Sequence, residues 1–145
     1  MRRWILICQL TLLRTIHILW PEVAKAILRR AIRKDLQKRF GKLTPDLETL
    51  GAAWVQTASS VQTLLWRWWE DQIDICVTEC IFARHLPTEL ANICCDEDRE
   101  FFGKLMGIEK TQTIARGEPY CTITMTRFPV RTCPSDDSKT ESWPG

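Results

Sequence analysis

Nowhere does the chain carry the roughly 18 consecutive apolar residues that a membrane span needs. The nearest approach runs from Trp4 to Leu13 behind Arg2 and Arg3, and it imitates an export signal. Arg14 and His17 interrupt the run, and no small-residue cleavage site follows. A buried or oligomer-facing first helix is expected there, with a membrane-surface helix as the alternative. No C-x-x-C pair is present, and the neighbouring Cys94 and Cys95 would point apart on a helix, so the spacing does not suit zinc. Neither a Gly-rich phosphate loop nor a G-x-S-x-G elbow occurs. No internal repeat and no RNA- or DNA-binding motif is visible, so a nucleic-acid partner is not expected. No cofactor is expected either.

What remains is a chain of 145 residues, 45% hydrophobic and 26% charged, which fits one globular domain with one core. Its seven cysteines are odd in number and irregularly spaced, which reads as free thiols in a reducing, cytoplasmic compartment. The net charge of +2 is divided unevenly. Residues 1–43 hold 11 Lys+Arg against Glu22 and Asp35, or +9, and the remainder holds 9 against 16 acids, or −7. Balance of the basic half by the acidic half, of this domain or of a second copy, is the simplest reading.

The fold class expected is α+β: about three N-terminal helices over residues 1–70, packed on a small antiparallel sheet from residues 72–82, 108–114 and 120–128. Pro21 opens a second helix at its first turn, with Ala24, Leu28, Ile32, Leu36 and Phe40 as its core stripe and a basic outer surface. Thr44 is the expected cap of a third, whose three-four spacing continues through Leu47, Leu50, Trp54, Ala58, Val61, Leu65 and Trp68. Trp66, Trp68 and Trp69 cluster near its end, as core or interface packing or as the aromatic wall of a ligand pocket. Ile73, Ile75 and Val77 alternate with polar residues, as a strand does. Pro87 begins a short helix. A hairpin follows, turning at Arg116-Gly117-Glu118-Pro119, where Gly tolerates positive φ and Pro fixes its own. Residues 129–145, rich in Pro, Ser, Asp and Lys, are expected to be a disordered tail.

The order of Cys80, then Cys95-Asp96-Glu97-Asp98, then Thr111-Gln112-Thr113-Ile114-x-x-Gly117-x-x-x-Cys121 resembles the L-2-amino-thiazoline-4-carboxylic acid hydrolase family, over roughly residues 73 to 125. Lys110 stands where typical members carry Arg, and Thr122-Ile123 where they read Asp-Phe. The resemblance implies hydrolytic opening of a small heterocycle by addition of water at an amidine-like carbon, or a related biosynthetic step. It marks Cys80, Cys95, Asp98 and Cys121 as candidate catalytic groups. Such chemistry needs an attacking atom, a base and a donor for the leaving group. Asp98 is a candidate base or orienting group, and His85, outside the matched positions, is a second base candidate. Thr111, Thr113, Trp66 and Trp69 are candidate substrate contacts.

Each has a plainer reading. Cys121 shares a strand face with Ile123 and Met125, so it could be core. Cys76 and Cys94 read most simply as core. Asp98 reads, from the acidic run alone, as a solvated carboxylate. The alternative function is a non-catalytic small-molecule-binding or scaffold protein, reminiscent of vinyl-reductase-like ligand-binding domains, which share the Gly-x-x-x-Cys turn. The apolar surface of Trp4, Ile5, Leu12, Ile16, Leu19 and Trp20 exceeds what a small domain covers, so a homo-oligomer through the N-terminal helices is expected.

Overall fold

The structure is a computed structural model that describes residues 2–127. The expected tail, with Cys133 and Trp143, lies outside the described residues. Five helices and four strands follow one another as α1 (Arg2–Leu19), α2 (Pro21–Phe40), α3 (Leu47–Ser59), β1 (Thr63–Trp68), β2 (Gln72–Glu79), α4 (Ile81–His85), α5 (Thr88–Gly103), β3 (Gly107–Gln112) and β4 (Cys121–Thr126). The strands form one antiparallel sheet in the order β1-β2-β4-β3. The class is α+β, as expected.

Alternation sets the sheet's two faces. Ile73, Ile75 and Val77 of β2 are buried and stand opposite Met125, Ile123 and Cys121 of β4, which are buried too. This apolar face receives α3 and the end of α5, through Leu47, Leu50, Trp54 and Phe102. The opposite face carries Asp74, Thr122 and Thr124 and is open, as antiparallel sheets permit. On α2 the four-residue stripe is inward: Ala24, Leu28, Leu36 and Phe40 are buried and Ile32 is half-buried. Phe102 of α5 is fully buried and meets Phe40 and Phe101 edge-on, at 5.1 and 5.2 Å between ring centroids. A second cluster, around Leu10, Leu13, Leu28, Leu90 and Ile93, seals α1 and α2 to α5.

Several boundaries differ from those read in the sequence. The third helix does not reach Trp68. It ends at Ser59, and Thr63–Trp68 is a fourth strand. Ser59 and Ser60 donate their hydroxyls to the carbonyls of Gln56 and Thr57, satisfying the last turn without further helix. The β-branched and aromatic run that follows then pairs with β2. The cap of α3 is Asp46, not Thr44: its carboxylate accepts the Thr49 N–H at 2.8 Å. The strand expected over 72–82 stops at Glu79, so Cys80 and Phe82 leave the sheet, and Cys80 caps α4 in an extended conformation. The short helix expected at Pro87 is one continuous helix of 16 residues. The hairpin connection is longer than a tight turn. A 3-10 turn at Ile114–Arg116 leads to Gly117, whose φ of 89° is the one positive value among the described residues.

The basic outer surface of α2 is not simply solvated. Arg33 clamps the buried Glu97 of α5 with two hydrogen bonds of 2.7 and 2.9 Å. Glu89 of α5 accepts from Lys25 and pairs with His17, tying α5 to α1 and α2. The acidic half thus answers the basic half within one chain.

Phe102→Ala removes the ring shared by α2, α5 and the sheet. Urea unfolding should show a loss of about 3–5 kcal/mol, the usual range for a buried Phe.

Candidate functional site

Four segments meet on the inner face near the β3 edge. Cys80 arrives from the end of β2, Cys95 and Asp98 from one turn of α5, Lys110 from β3 and Cys121 from the start of β4. The thiols of Cys80, Cys95 and Cys121 lie near enough to act on one another electrostatically, and Cys95 also feels Asp98 and Lys110. The structure therefore brings together the four residues that the resemblance marks, although Cys80 and Cys121 lie 41 positions apart in the chain.

Lys110 is the centre of the group. Its side chain is 5% exposed, and its ammonium donates to Asp98 Oδ2 at 3.0 Å and to the Cys95 carbonyl at 3.2 Å. Asp98 is not a solvated carboxylate of an acidic run. It is the counter-ion of Lys110, and Trp54 Nε1 donates to its other oxygen at 3.2 Å. Burial pulls the Lys110 ammonium down, but Asp98, Cys95 and the hydrogen bond to Asp98 overcome it, and its pKa stands above the ordinary lysine value.

Burial holds Cys95 and Cys121 in the thiol form. Burial pushes Cys95 up against the opposing pull of the Lys110 charge. Burial likewise raises Cys121, against the Ile114 N–H that donates to its sulfur at 3.1 Å. Cys94 faces the second core cluster, where burial drives its thiol far up, as a core thiol. Cys76, read as core, is instead half-buried among the open-face residues of β2. All six cysteines among the described residues are free.

A cleft of about 620 Å³ opens beside Cys80. Arg3, Thr78, Glu79, Arg84, Ile114 and Pro119 share its wall with that cysteine. Thr113 lies next to Ile114 and has a buried hydroxyl with no partner among the described residues. Thr111, by contrast, turns outward and bonds the hydroxyl of Thr122 on the open face. His85 ends α4, half-buried, and among the described residues no hydrogen bond or ion pair ties it to the thiols. Trp66 and Trp69 belong to β1 and the turn after it, with two strands between β1 and β3. Trp69 donates to Asp74 at 2.7 Å and carries Arg67 over its ring at 4.1 Å. Neither tryptophan joins the thiol group.

Two members were not singled out from sequence. Lys110 alternates in phase with Ile108 and Gln112 in β3, a signal that places it inward. Trp54 read as core, and its indole N–H gives no signal of its partner.

No three His, Cys, Asp or Glu side chains among the described residues are arranged to hold a metal ion. No described helix is long and apolar enough to cross a membrane.

Because Cys95 and Cys121 lie above the ordinary thiol range, their thiolate fraction at neutral pH is below that of an exposed cysteine. Alkylation followed by mass spectrometry should label exposed Cys8 first, with Cys95 and Cys121 rising only as pH increases. In Lys110→Met/Asp98→Asn the cation that favours the thiolates is gone, and the Cys95 profile should move to still higher pH.

Compared with known proteins, the chain matches no family model, no curated protein and no solved structure.

Proposed function

We propose that the chain is a small-molecule enzyme of hydrolytic type, akin to the L-2-amino-thiazoline-4-carboxylic acid hydrolases it resembles in motif. One observation carries this reading: Cys95, Asp98 and Cys121 gather around one buried cation, Lys110, and Cys80 lies against the two thiols. A cation held by a single carboxylate beside protonated thiols is costly to build, and perturbed groups of this kind concentrate where chemistry is done.

In the proposed reaction water's oxygen bonds to an amidine-like carbon and becomes a carbonyl. The C–S or C–N bond to the ring heteroatom breaks, and the two protons of water end on that heteroatom and on the remaining nitrogen. A thiol protonated at rest suits the donor's part, and the Lys110 charge would stabilise the thiolate left behind. Asp98, fixed by Lys110 and Trp54, is the positioning group and holds the cation in place. The buried Thr113 hydroxyl, without a partner among the described residues and one residue from Ile114 of the cleft wall, is the candidate substrate contact.

A second reading, a non-catalytic ligand-binding or scaffold protein, draws on the same burial: Cys121 is 6% exposed and its thiol is raised.

Purified protein incubated with 2-amino-thiazoline-4-carboxylic acid and related cyclic amidines should release a ring-opened product gaining one water, read by mass spectrometry. Cys121→Ala and Asp98→Asn should abolish turnover with the circular dichroism spectrum unchanged. Binding without turnover, lost in the same variants, would support the second reading. Full activity in both variants would remove these residues from the mechanism, and unfolding of Cys121→Ala would mark it as core.

A further inference from the structure

Apart from Tyr120 on the loop before β4, the exposed large apolar side chains fall on two stretches of the chain. One spans α1 and the start of α2, with Trp4, Ile5, Leu12, Ile18, Leu19 and Trp20. The other lies on β1 and the turn after it, with Leu65, Trp66, Trp68 and Trp69. The second patch differs in kind, because β1 is an edge strand.

An antiparallel strand turns the backbone groups of alternate residues to each side. Trp69 N–H donates to Gln72 O at 2.8 Å, so residues 65 and 67, in phase with it, face β2. Leu64, Trp66 and Trp68 then present their N–H and C=O groups to the free edge. Among the described residues, none of these groups takes part in a hydrogen bond outside the strand pair. Sheet edges are normally blunted by charge, proline, bulges or cover. The opposite edge follows that rule: β3 carries Glu109 and Lys110 and is bulged between Lys110 and Gln112. β1 has no proline and one charge, Arg67; its register shifts only at its first residue, between Thr63 and Leu64, and is unbroken from Leu64 to Trp68.

We propose that the β1 edge is a two-fold interface on which a second copy of this chain adds its own β1, antiparallel, about an axis at Trp66. The sequence of the strand is what selects a second copy. Around that axis Trp66 meets its own equivalent in a hydrogen-bonded pair, Leu64 meets Trp68, and Leu65 meets Arg67. Apolar residues 64, 66 and 68 of both copies share one face, as strand pairing requires. No like charges stand opposite. An axis at Arg67 would set two guanidinium groups against each other, and an axis further along would shorten the overlap. The N-terminal patch, where association is expected from sequence, is the competing surface. Its two helices carry Arg2, Arg3, Arg14, Arg29 and Arg30, so self-pairing of α1 and α2 brings like charges toward one another.

One strand pair with its aromatic flanks falls at the small end of specific interfaces, below about 1,200 Å² in total. The dimer therefore dissociates on dilution, and the test uses this. In sedimentation velocity the full chain should pass from dimer to monomer as it is diluted. In hydrogen exchange on concentrated protein, the amides of Leu64, Trp66 and Trp68 should slow about tenfold or more relative to dilute protein. Trp66→Lys should be monomeric throughout with an unchanged circular dichroism spectrum, while Leu12→Glu still dimerises. A monomer at all concentrations overturns the proposal. So does a dimer lost in Leu12→Glu and kept in Trp66→Lys. Protection of the three amides that persists on dilution also overturns it, since the edge would then be covered by the chain's own residues 128–145. If Trp66→Lys fails to fold, the exchange data on the natural sequence decide alone.

Discussion

An ammonium group taken out of water must meet negative charge or lose its proton, and Lys110 meets Asp98. Much of the architecture around the thiols follows from that requirement. Lys110 is fixed in β3 by its ladder with β4, so Asp98 must be delivered to it by α5. The Trp54 indole then holds the far oxygen of Asp98, which brings α3 into the same arrangement. Cys95 lies three residues before Asp98, almost one helical turn, and gives its carbonyl to the same ammonium. Cys121 enters from the next strand, where the Ile114 N–H engages its sulfur. Helix, edge strand and hairpin are thus registered by one charge pair.

The acidic run of α5 shows how a helix divides labour among neighbouring residues. Asp96, Glu97 and Asp98 are consecutive and so point about 100° apart. Asp96 is exposed, Glu97 is clamped by Arg33 of α2, and Asp98 is held by Lys110 and Trp54. One stretch therefore faces solvent, the basic helix and the sheet. Read in sequence, the three are a single acidic patch. Only the packing of α5 between α2 and the sheet distinguishes them.

The same contrast runs through the rest of the chain. The core stripe of α2 and the alternation of β2 were legible because each keeps one period over many residues, with a polar opposite side. The end of α3 was not. Ala58, Val61, Leu65 and Trp68 satisfy helical spacing, while Leu64, Trp66 and Trp68 equally satisfy a strand. Pairing with β2, along with the serine hydroxyls that finish α3, decides between them, and that pairing is not a local property. Cys80, Cys95, Asp98 and Cys121 could be marked by motif resemblance. Lys110 sits in a Thr-rich strand and reads as a departure from a pattern until its inward phase is noticed. His85, Trp66 and Trp69 were chosen for their chemistry alone, and nothing in their spacing said where they would lie.

The strand order gives the two edges of the sheet different surroundings. β3 carries the charged centre and is guarded by a bulge and by Glu109 on its outer face. β1 is three strand spacings away, on the order of 14 Å. It carries two tryptophans, one arginine and backbone groups with no partner among the described residues. Charge is costly to bury at an association surface, and an apolar edge is costly to leave in water. Placing the buried ion pair at one edge and the apolar strand at the other meets both constraints. The intervening strands β2 and β4 are matched residue for residue from Gln72 to Val77, with no bulge. A second chain added at β1 would extend the sheet without displacing Lys110, Asp98 or the thiols, so association and chemistry would remain independent.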